Sequence, residues 1–129
     1  MPEFIGAGPF SVPATTGIKS KRFVTLNSTS GKLRYPANGA TAIGVTFADS
    51  STGSTYDVSL AVQAYGIAEV EAAGSTLAAG ALVAASSVGR AVVWSTGKMG
   101  VGQIIYGTSG STGRIVSVLL KNFGHSTSI

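Results

Sequence analysis

Few side chains in this sequence are of the types that carry out catalysis or bind metals. The one histidine, His125, lies in a polar stretch near the end of the sequence. Nucleophilic hydrolysis needs a base that is held rigidly against a serine, and such a stretch offers no rigid position. There is no cysteine, and no group of histidines and acids has the spacing of metal ligands. We therefore expect a protein that is not an enzyme and that uses no metal or other cofactor.

Two acids, Glu69 and Glu71, come nearest to a pair of catalytic carboxylates. Because they alternate along one β-prone run, they lie on the same face of a strand. We interpret that face as the solvated side of the strand. The glycine-rich run at residues 100–105 lacks the third glycine of a dinucleotide-binding fingerprint, so its glycines are interpreted as turn positions.

Clustered basic residues suggest one alternative function. The chain has 129 residues and a formal net charge of +4, and five of its nine Lys and Arg residues fall within one stretch: Lys19, Lys21, Arg22, Lys32 and Arg34. Phe23 and Tyr35 lie beside them, as in nucleic-acid-binding β-barrels that combine a basic groove with aromatic platforms. A charge of +4 is small beside the basic surfaces that neutralise phosphates. We interpret the stretch as a solvated face or a contact surface for an acidic protein, with a nucleic-acid site as the alternative.

The elements that must position these residues are strands. The composition is 44% hydrophobic but only 8% aromatic and 11% charged, with 18 glycines, which favours short strands joined by tight turns over helices. From residue 21 onward, β-prone runs recur between Gly, Asn, Asp, Ser and Thr. Residues 56–60 and 114–118 alternate between apolar and polar side chains, as strands with one buried face do. The sequence predicts an all-β fold, either a small barrel or a sandwich.

An internal repeat gives the domain organisation. At an offset of 58 residues, residues 21–32 align with 79–90 without a gap, and residues 58–60 align with 116–118. Glycines fall on glycines, as Gly31 does on Gly89 and Gly39 on Gly97. Since glycine marks backbone positions that need a positive φ or a close approach, the same turns are used twice. We predict two similar β-motifs, residues 21–60 and 79–118, that together close one barrel within a β-domain of residues 21–122.

The segment before that domain, residues 1–20, is predicted to be an extended arm. It holds three of the four prolines, yet four apolar side chains are interspersed among them: Phe4, Ile5, Phe10 and Val12. A solvated disordered tail would contain few such side chains. We interpret the four as anchors that dock on a partner protein, with packing on their own domain as the alternative. Residues 123–129 are predicted to be a polar tail.

The order of turns and strands resembles that of tailed-bacteriophage capsid decoration (cement) proteins. The resemblance rests on residues 74–92, on residues 21–32 with 42–45, and on residues 101–104 with 115–120. It spans about residues 18–121 and leaves out the arm and the tail. It implies a compact β-domain that binds the major capsid protein on the outer surface of the virion, as a symmetric oligomer and without catalytic residues.

Assembly is also expected on physical grounds. A small core that is poor in large side chains gains stability when apolar surface is buried between subunits, so we expect a homotrimer, with a dimer as the alternative. No run approaches the roughly 18 apolar residues that span a bilayer, so no membrane partner is expected. The chain should be made in the host cytoplasm and end on the outside of the capsid.

Overall fold

All regular structure in the described part of the chain is β. The computed structural model describes residues 10–14, 17–47, 58–74, 77–107 and 112–123. Within these ranges the strands are β1 (Phe10–Ala14), β2 (Phe23–Leu26), β3 (Leu33–Arg34), β4 (Gly44–Thr46), β5 (Val58–Gln63), β6 (Gly66–Ala73), β7 (Leu82–Ala85), β8 (Ala91–Val93), β9 (Gly100–Tyr106) and β10 (Thr112–Phe123). None of the described residues forms a helix that could cross a membrane. The prediction of an all-β fold is confirmed.

The strands form two barrels of the same topology. The first five close one barrel in the order β1-β3-β2-β4-β5, and the last five close a second in the order β6-β8-β7-β9-β10. Each barrel closes through a parallel pair, Ala14↔Leu33 in the first and Ala72↔Ala91 in the second. The prediction of two similar motifs is confirmed. Each motif closes its own barrel, however, instead of the two motifs closing one.

Strand pairing shows which residues of the two motifs are equivalent. An offset of 58 residues holds for β1, β3 and β4 against β6, β8 and β9. In β2 and β7 the offset is 59, because Val24 pairs with Gly44 whereas Val83 pairs with Gly102. The turn after β7 is correspondingly one residue shorter than the turn after β2. The gapless alignment predicted for residues 21–32 is therefore wrong by one residue in this strand.

The last strand of each motif shows a second shift. Val62 pairs with Phe10 and Val118 pairs with Ala68, so β5 and β10 are 56 residues apart. The predicted match of residues 58–60 with 116–118 is wrong by two residues. Because side chains alternate along a strand, an even shift leaves the same face inside, and Val62 and Val118 are both fully buried.

Coincident glycines do fall at equivalent places. Gly31 and Gly89 have positive φ, +73° and +79°, in the turns that follow β2 and β7. Gly44 and Gly102 lie within β4 and β9, where an added Cβ would collide with strand β5 or β10. A turn that needs positive φ and a strand position that needs close backbone approach thus each occur once in each motif.

The first strand corrects the predicted arm. Residues 10–14, placed in an arm of residues 1–20, form β1, which pairs along its whole length with β5. Pro13 is tolerated there because β1 pairs with β3 only at Ala14, so most of its other edge needs no amide donor. Val12 packs against the core of its own barrel, so its interpretation as a docking anchor is wrong. Phe10 begins β1, and Phe4 and Ile5 lie outside the described residues.

Each barrel interior is filled by small and medium-sized side chains. A five-stranded barrel is narrow, and so its inward positions take mainly Ala, Val and Leu. The first core consists of Ala14, Ile18, Val24, Leu33, Leu60 and Val62. The second core holds alanines and valines of β6 to β10, and the first barrel adds three residues to it: Phe23, Ala42 and Val45. Phe23, the largest fully buried side chain, therefore packs between the barrels.

The contact between the two barrels, which we call the seam, is also a set of backbone hydrogen bonds. Phe23 N donates to Gly89 O at 2.7 Å, and Glu71 N donates to Lys21 O at 2.9 Å. Gly39 N donates to Ala85 O and Gly39 O accepts from Met99 N, both at 2.8 Å. The residues that contribute to the seam are Lys21, Arg22, Phe23, Tyr35 and Gly39 from the first barrel and Glu71, Ala85, Val88, Gly89 and Met99 from the second.

Lys21 carries backbone strain at the seam. Among the described residues it alone combines a side chain with positive φ, at 58°. Its equivalent is Gly80, since Lys21 N donates to Thr46 O and Gly80 N donates to Ile104 O. The second motif therefore has glycine at a position with a left-handed backbone conformation. The same conformation costs a lysine about 1 kcal/mol or more.

We expect Lys21→Gly to be about 1 kcal/mol more stable to urea than Lys21→Ala, because both lose the side chain but only glycine relieves the strain. Urea unfolding is followed by circular dichroism, and the wild-type protein is the reference for correct folding. Equal stabilities of the two variants would contradict the strain at this position.

Candidate partner-binding surfaces

Glu69 and Glu71 of β6 both form ion pairs. Glu71 Oε2 accepts from Arg90 Nε at 2.9 Å and from Arg22 Nη2 at 3.1 Å. Glu69 Oε1 lies 3.3 Å from Lys21 Nζ. Glu69 is on the solvated side, as interpreted, but Glu71 faces the seam, because β6 borders the first barrel there. Neither carboxylate is placed as half of a catalytic pair.

No group of three or more His, Cys, Asp or Glu side chains occurs in the described ranges. His125 lies outside them.

The five basic residues do not form one surface. Arg22 is 93% buried in the seam, where its Nη1 also donates to Val88 O at 3.0 Å. Lys21 pairs with Glu69, while Arg34 is exposed and donates to Tyr35 O. Lys19 is exposed and Lys32 is half-buried. The folded chain therefore separates the stretch into a structural arginine and scattered surface charges.

The aromatic residues beside them are not stacking platforms. Phe23 is only 1% exposed. Tyr35 is half-buried, and its hydroxyl donates to Gly17 O at 3.1 Å and accepts from Lys19 N at 2.9 Å. Stacking needs an accessible ring face, which Phe23 lacks and which Tyr35 offers only in part.

A surface that the sequence did not single out lies on the outside of the second barrel. Four of its apolar side chains are exposed; this set, which we call the outer patch, comprises Ile67 (56%), Ile105 (44%), Tyr106 (76%) and Ile115 (41%). Tyr106 is opposite Ser117, two residues from Ile115 on the same strand face. Ile67 is opposite the half-buried Leu119 on that strand. The patch therefore follows the outer face of β10 from Ile115 to Leu119.

Charged residues border this patch. Arg114 and Lys121 of β10 are exposed, and Lys121 Nζ lies 3.2 Å from Gln103 Oε1. At the other side, Ile67 and Phe47 line an open groove of about 260 Å³ between the barrels. An exposed tyrosine among isoleucines with a nearby arginine has the composition of a protein-binding surface.

The first motif is an internal control for this surface. By strand pairing, Ile115 and Leu119 are equivalent to Ser59 and Gln63. The fold therefore does not require apolar residues at these positions. Their presence in the second motif alone indicates a role outside the barrel itself.

The sequence offered a weak signal for the outer patch. Residues 101–106 form one of the β-prone runs of the sequence, and isoleucines in a strand are ordinarily assigned to the core. Ile105 and Tyr106 are both exposed because the pairing register of β9 and β10 shifts between Ser117 and Val118. Such a bulge follows from tertiary pairing and has no marker in the residues themselves.

Comparison with known proteins gives a fold match. No protein-family model and no curated protein sequence matches the chain. Among solved structures, the chain is similar to the crystal structure of the head fiber gp8.5 N base in bacteriophage phi29, with a TM-score of 0.70 and 16% sequence identity. The match covers 91% of this chain and 98% of that chain, so it includes both barrels. The two proteins share their fold.

We expect Glu71→Gln to lower the free energy of unfolding by about 3 kcal/mol, because it leaves the Arg22 guanidinium buried without its counter-charge. The side chains of Arg22 and Glu71 are only 9% and 22% exposed. Urea unfolding measures the loss.

Glu69→Gln is the matched control, two residues away on the same strand. Glu69 is 63% exposed and its partner Lys21 is 44% exposed, so its loss should cost less than about 1 kcal/mol. If the two variants were equally destabilised, the seam carboxylate would have no special role.

Proposed function

We propose that this chain is a structural protein of a bacteriophage head that binds the outside of the shell and stabilises it. The observation that carries the proposal is the fold shared with the phi29 head fiber base, which extends over nearly the whole of both chains. The resemblance of residues 74–92 to capsid cement proteins leads independently to the same class. On this proposal the partner is the major capsid protein, and the chain acts as a homotrimer on the outer capsid surface.

The outer patch and residues 1–9 are the proposed contacts with the shell. Tyr106, the most exposed of the large apolar side chains described, would bury its ring against the capsid protein. Arg114 and Lys121 beside the patch, and the exposed Glu69 opposite Ser117, would pair with charges of both signs on the capsid protein. Phe4 and Ile5 precede β1 and supply the apolar part of the second contact.

Several weak contacts suffice on an icosahedral shell. The same site is repeated many times, and an oligomer that engages several copies gains affinity from effective concentration. The nucleic-acid alternative has less support, since Arg22 and Phe23 are buried in the seam.

We expect the purified protein to bind heads assembled without this gene and to raise the temperature at which they open. Co-sedimentation and cryo-electron microscopy would measure occupancy and position. Absence of binding to such heads, or density only inside the shell, would overturn the proposal.

We expect Tyr106→Ala combined with Ile115→Ser to weaken head binding at least about tenfold while leaving the fold unchanged, because both side chains are exposed. Ala61→Ser is the matched control, since Ala61 occupies in the first motif the position of Ser117. If the double variant bound heads as tightly as the wild type, the outer patch would not be part of the contact with the shell.

We also expect deletion of residues 2–9 to leave both barrels folded and to weaken head binding, because the docking side chains Phe4 and Ile5 are removed. A deletion that extends to residue 13 serves as a contrast, since it removes most of β1 and should unfold the first barrel. Wild-type binding by the shorter deletion would show that residues 1–9 are not a contact.

A further inference from the structure

The seam joins two equivalent barrels through unlike faces. The first barrel presents Arg22, Phe23 and Gly39, whereas the second presents Glu71 and Gly89. Such a contact is heterologous: each barrel uses a different side, and the opposite side remains open to a further copy. We call the set Lys21, Arg22, Phe23, Tyr35 and Gly39 the front face, and the set Glu71, Ala85, Val88 and Gly89 the back face.

Among the described residues, each barrel therefore has one face of the pair that no other part of the chain covers. The counterpart of the front face on the second barrel consists of Gly80, Ala81, Leu82, Val93 and Gly97. The counterpart of the back face on the first barrel consists of Pro13, Leu26, Ser30 and Gly31. Both counterparts lie at the outer ends of the barrel pair.

These two open faces have the features of an uncovered contact. Leu26 is 42% exposed, although its equivalent Ala85 is fully buried at the seam, and Val93 is 43% exposed at the position of Tyr35. A Cβ at Gly89 would lie 3.0 Å from Arg22 Cβ, whereas nothing lies within 4 Å of a Cβ at Gly31. The turn glycine is thus covered by the other barrel at Gly89, whereas its equivalent Gly31 is uncovered.

We propose that a second copy of this chain covers these faces, so that the second barrel of one chain docks on the first barrel of the next in the arrangement of the seam. The contact repeats between chains the interface that joins the two barrels within each chain. Because the contact is head-to-tail, several chains can close into a ring. The number of chains in the ring, three, rests on the homotrimer proposed above.

The contact between chains is weaker than the seam. Ala81 stands where the front face has Arg22, and Pro13 stands where the back face has Glu71. The ion pair therefore has no equivalent, and proline lacks the amide that Glu71 uses to reach Lys21 O. Apolar contact of Leu26, Leu82 and Val93 remains, so the ring should dissociate on dilution while each barrel pair stays intact.

Disulfide trapping in the full chain tests this contact without capsids. The chain has no cysteine, so an introduced pair reports on one contact alone. Ala81→Cys and Gly31→Cys place thiols at the positions equivalent to Arg22 and Gly89, whose Cβ positions are close enough for a disulfide after a small shift. Ser30→Cys with Ala81→Cys is a second pair in case a cysteine at Gly31, whose φ is +73°, prevents folding.

Under mild oxidation the double variants are expected to give a covalent trimer on a non-reducing gel. Each single variant should stay uncrosslinked, because a head-to-tail contact never brings two identical positions together. A covalent ring of another size would support the contact and overturn the number three. Crosslinking of the single variants, or no crosslinking of either pair in a solution that light scattering shows to be oligomeric, would overturn the contact.

Pro13→Glu combined with Ala81→Arg tests the same contact by gain of affinity. The pair recreates the Arg22–Glu71 interaction between chains, so the concentration at which the oligomer dissociates should fall about tenfold, with neither single change having this effect. An unchanged double variant would overturn the proposed geometry. A protein that is monomeric in every test but still binds heads would refute the ring and leave the proposed function standing.

Discussion

The narrow interior of a five-stranded barrel is the constraint on which the rest of this structure depends. Such a barrel has room mainly for small and medium-sized side chains, so each motif buries little apolar surface by itself. The two barrels share one core cluster, in which Phe23 of the first barrel lies with apolar residues of the second. The contact between the two motifs thus adds to the core that either barrel buries alone.

Polar groups that are buried between the barrels are hydrogen-bonded across the seam. Arg22 is buried with its Nε unpartnered, yet its two terminal nitrogens are bonded to Glu71 and to Val88 O. Glu71 in turn binds Arg90, so that one carboxylate serves two guanidinium groups, one from each barrel. A buried ion pair adds less stability than its number of bonds suggests, but it specifies one alignment of the barrels, because a shift would strand the charges.

The sequence predicted the repetition and not its geometry. The likeness of the two motifs could be read from coincident glycines, since Gly44 and Gly102 meet the same backbone requirement in each motif. The one-residue shift at β2 and the two-residue shift at β5 could not, because glycine, serine and alanine runs align almost equally well in neighbouring registers. β1 was missed because Pro13 is a poor strand residue, and only the edge position beside β3 makes it acceptable.

The candidate sites were misread for a related reason. Basic residues close in sequence were treated as one surface, yet the chain turns at Lys21, with its positive φ, just before β2 begins at Phe23. The Arg22 side chain is buried in the seam against Glu71, whereas the Lys21 side chain pairs with the exposed Glu69. The outer patch needed the pairing of β9 with β10 before its members could be seen together.

Divergence between the motifs separates what the fold requires from what function requires. Positions that keep the same residue type in both copies, such as Val62 and Val118, serve the barrel interior, whereas positions that differ serve one copy's surroundings. Arg22 against Ala81 and Glu71 against Pro13 tie the two barrels together within the chain and leave the outer ends less strongly adhesive. Ile115 against Ser59 and Leu119 against Gln63 place apolar residue types in β10 where β5 has polar ones. On the proposed assembly, the seam is the strong copy of the contact between barrels, the outer ends carry its weaker copy, and the outer patch is left for a different partner.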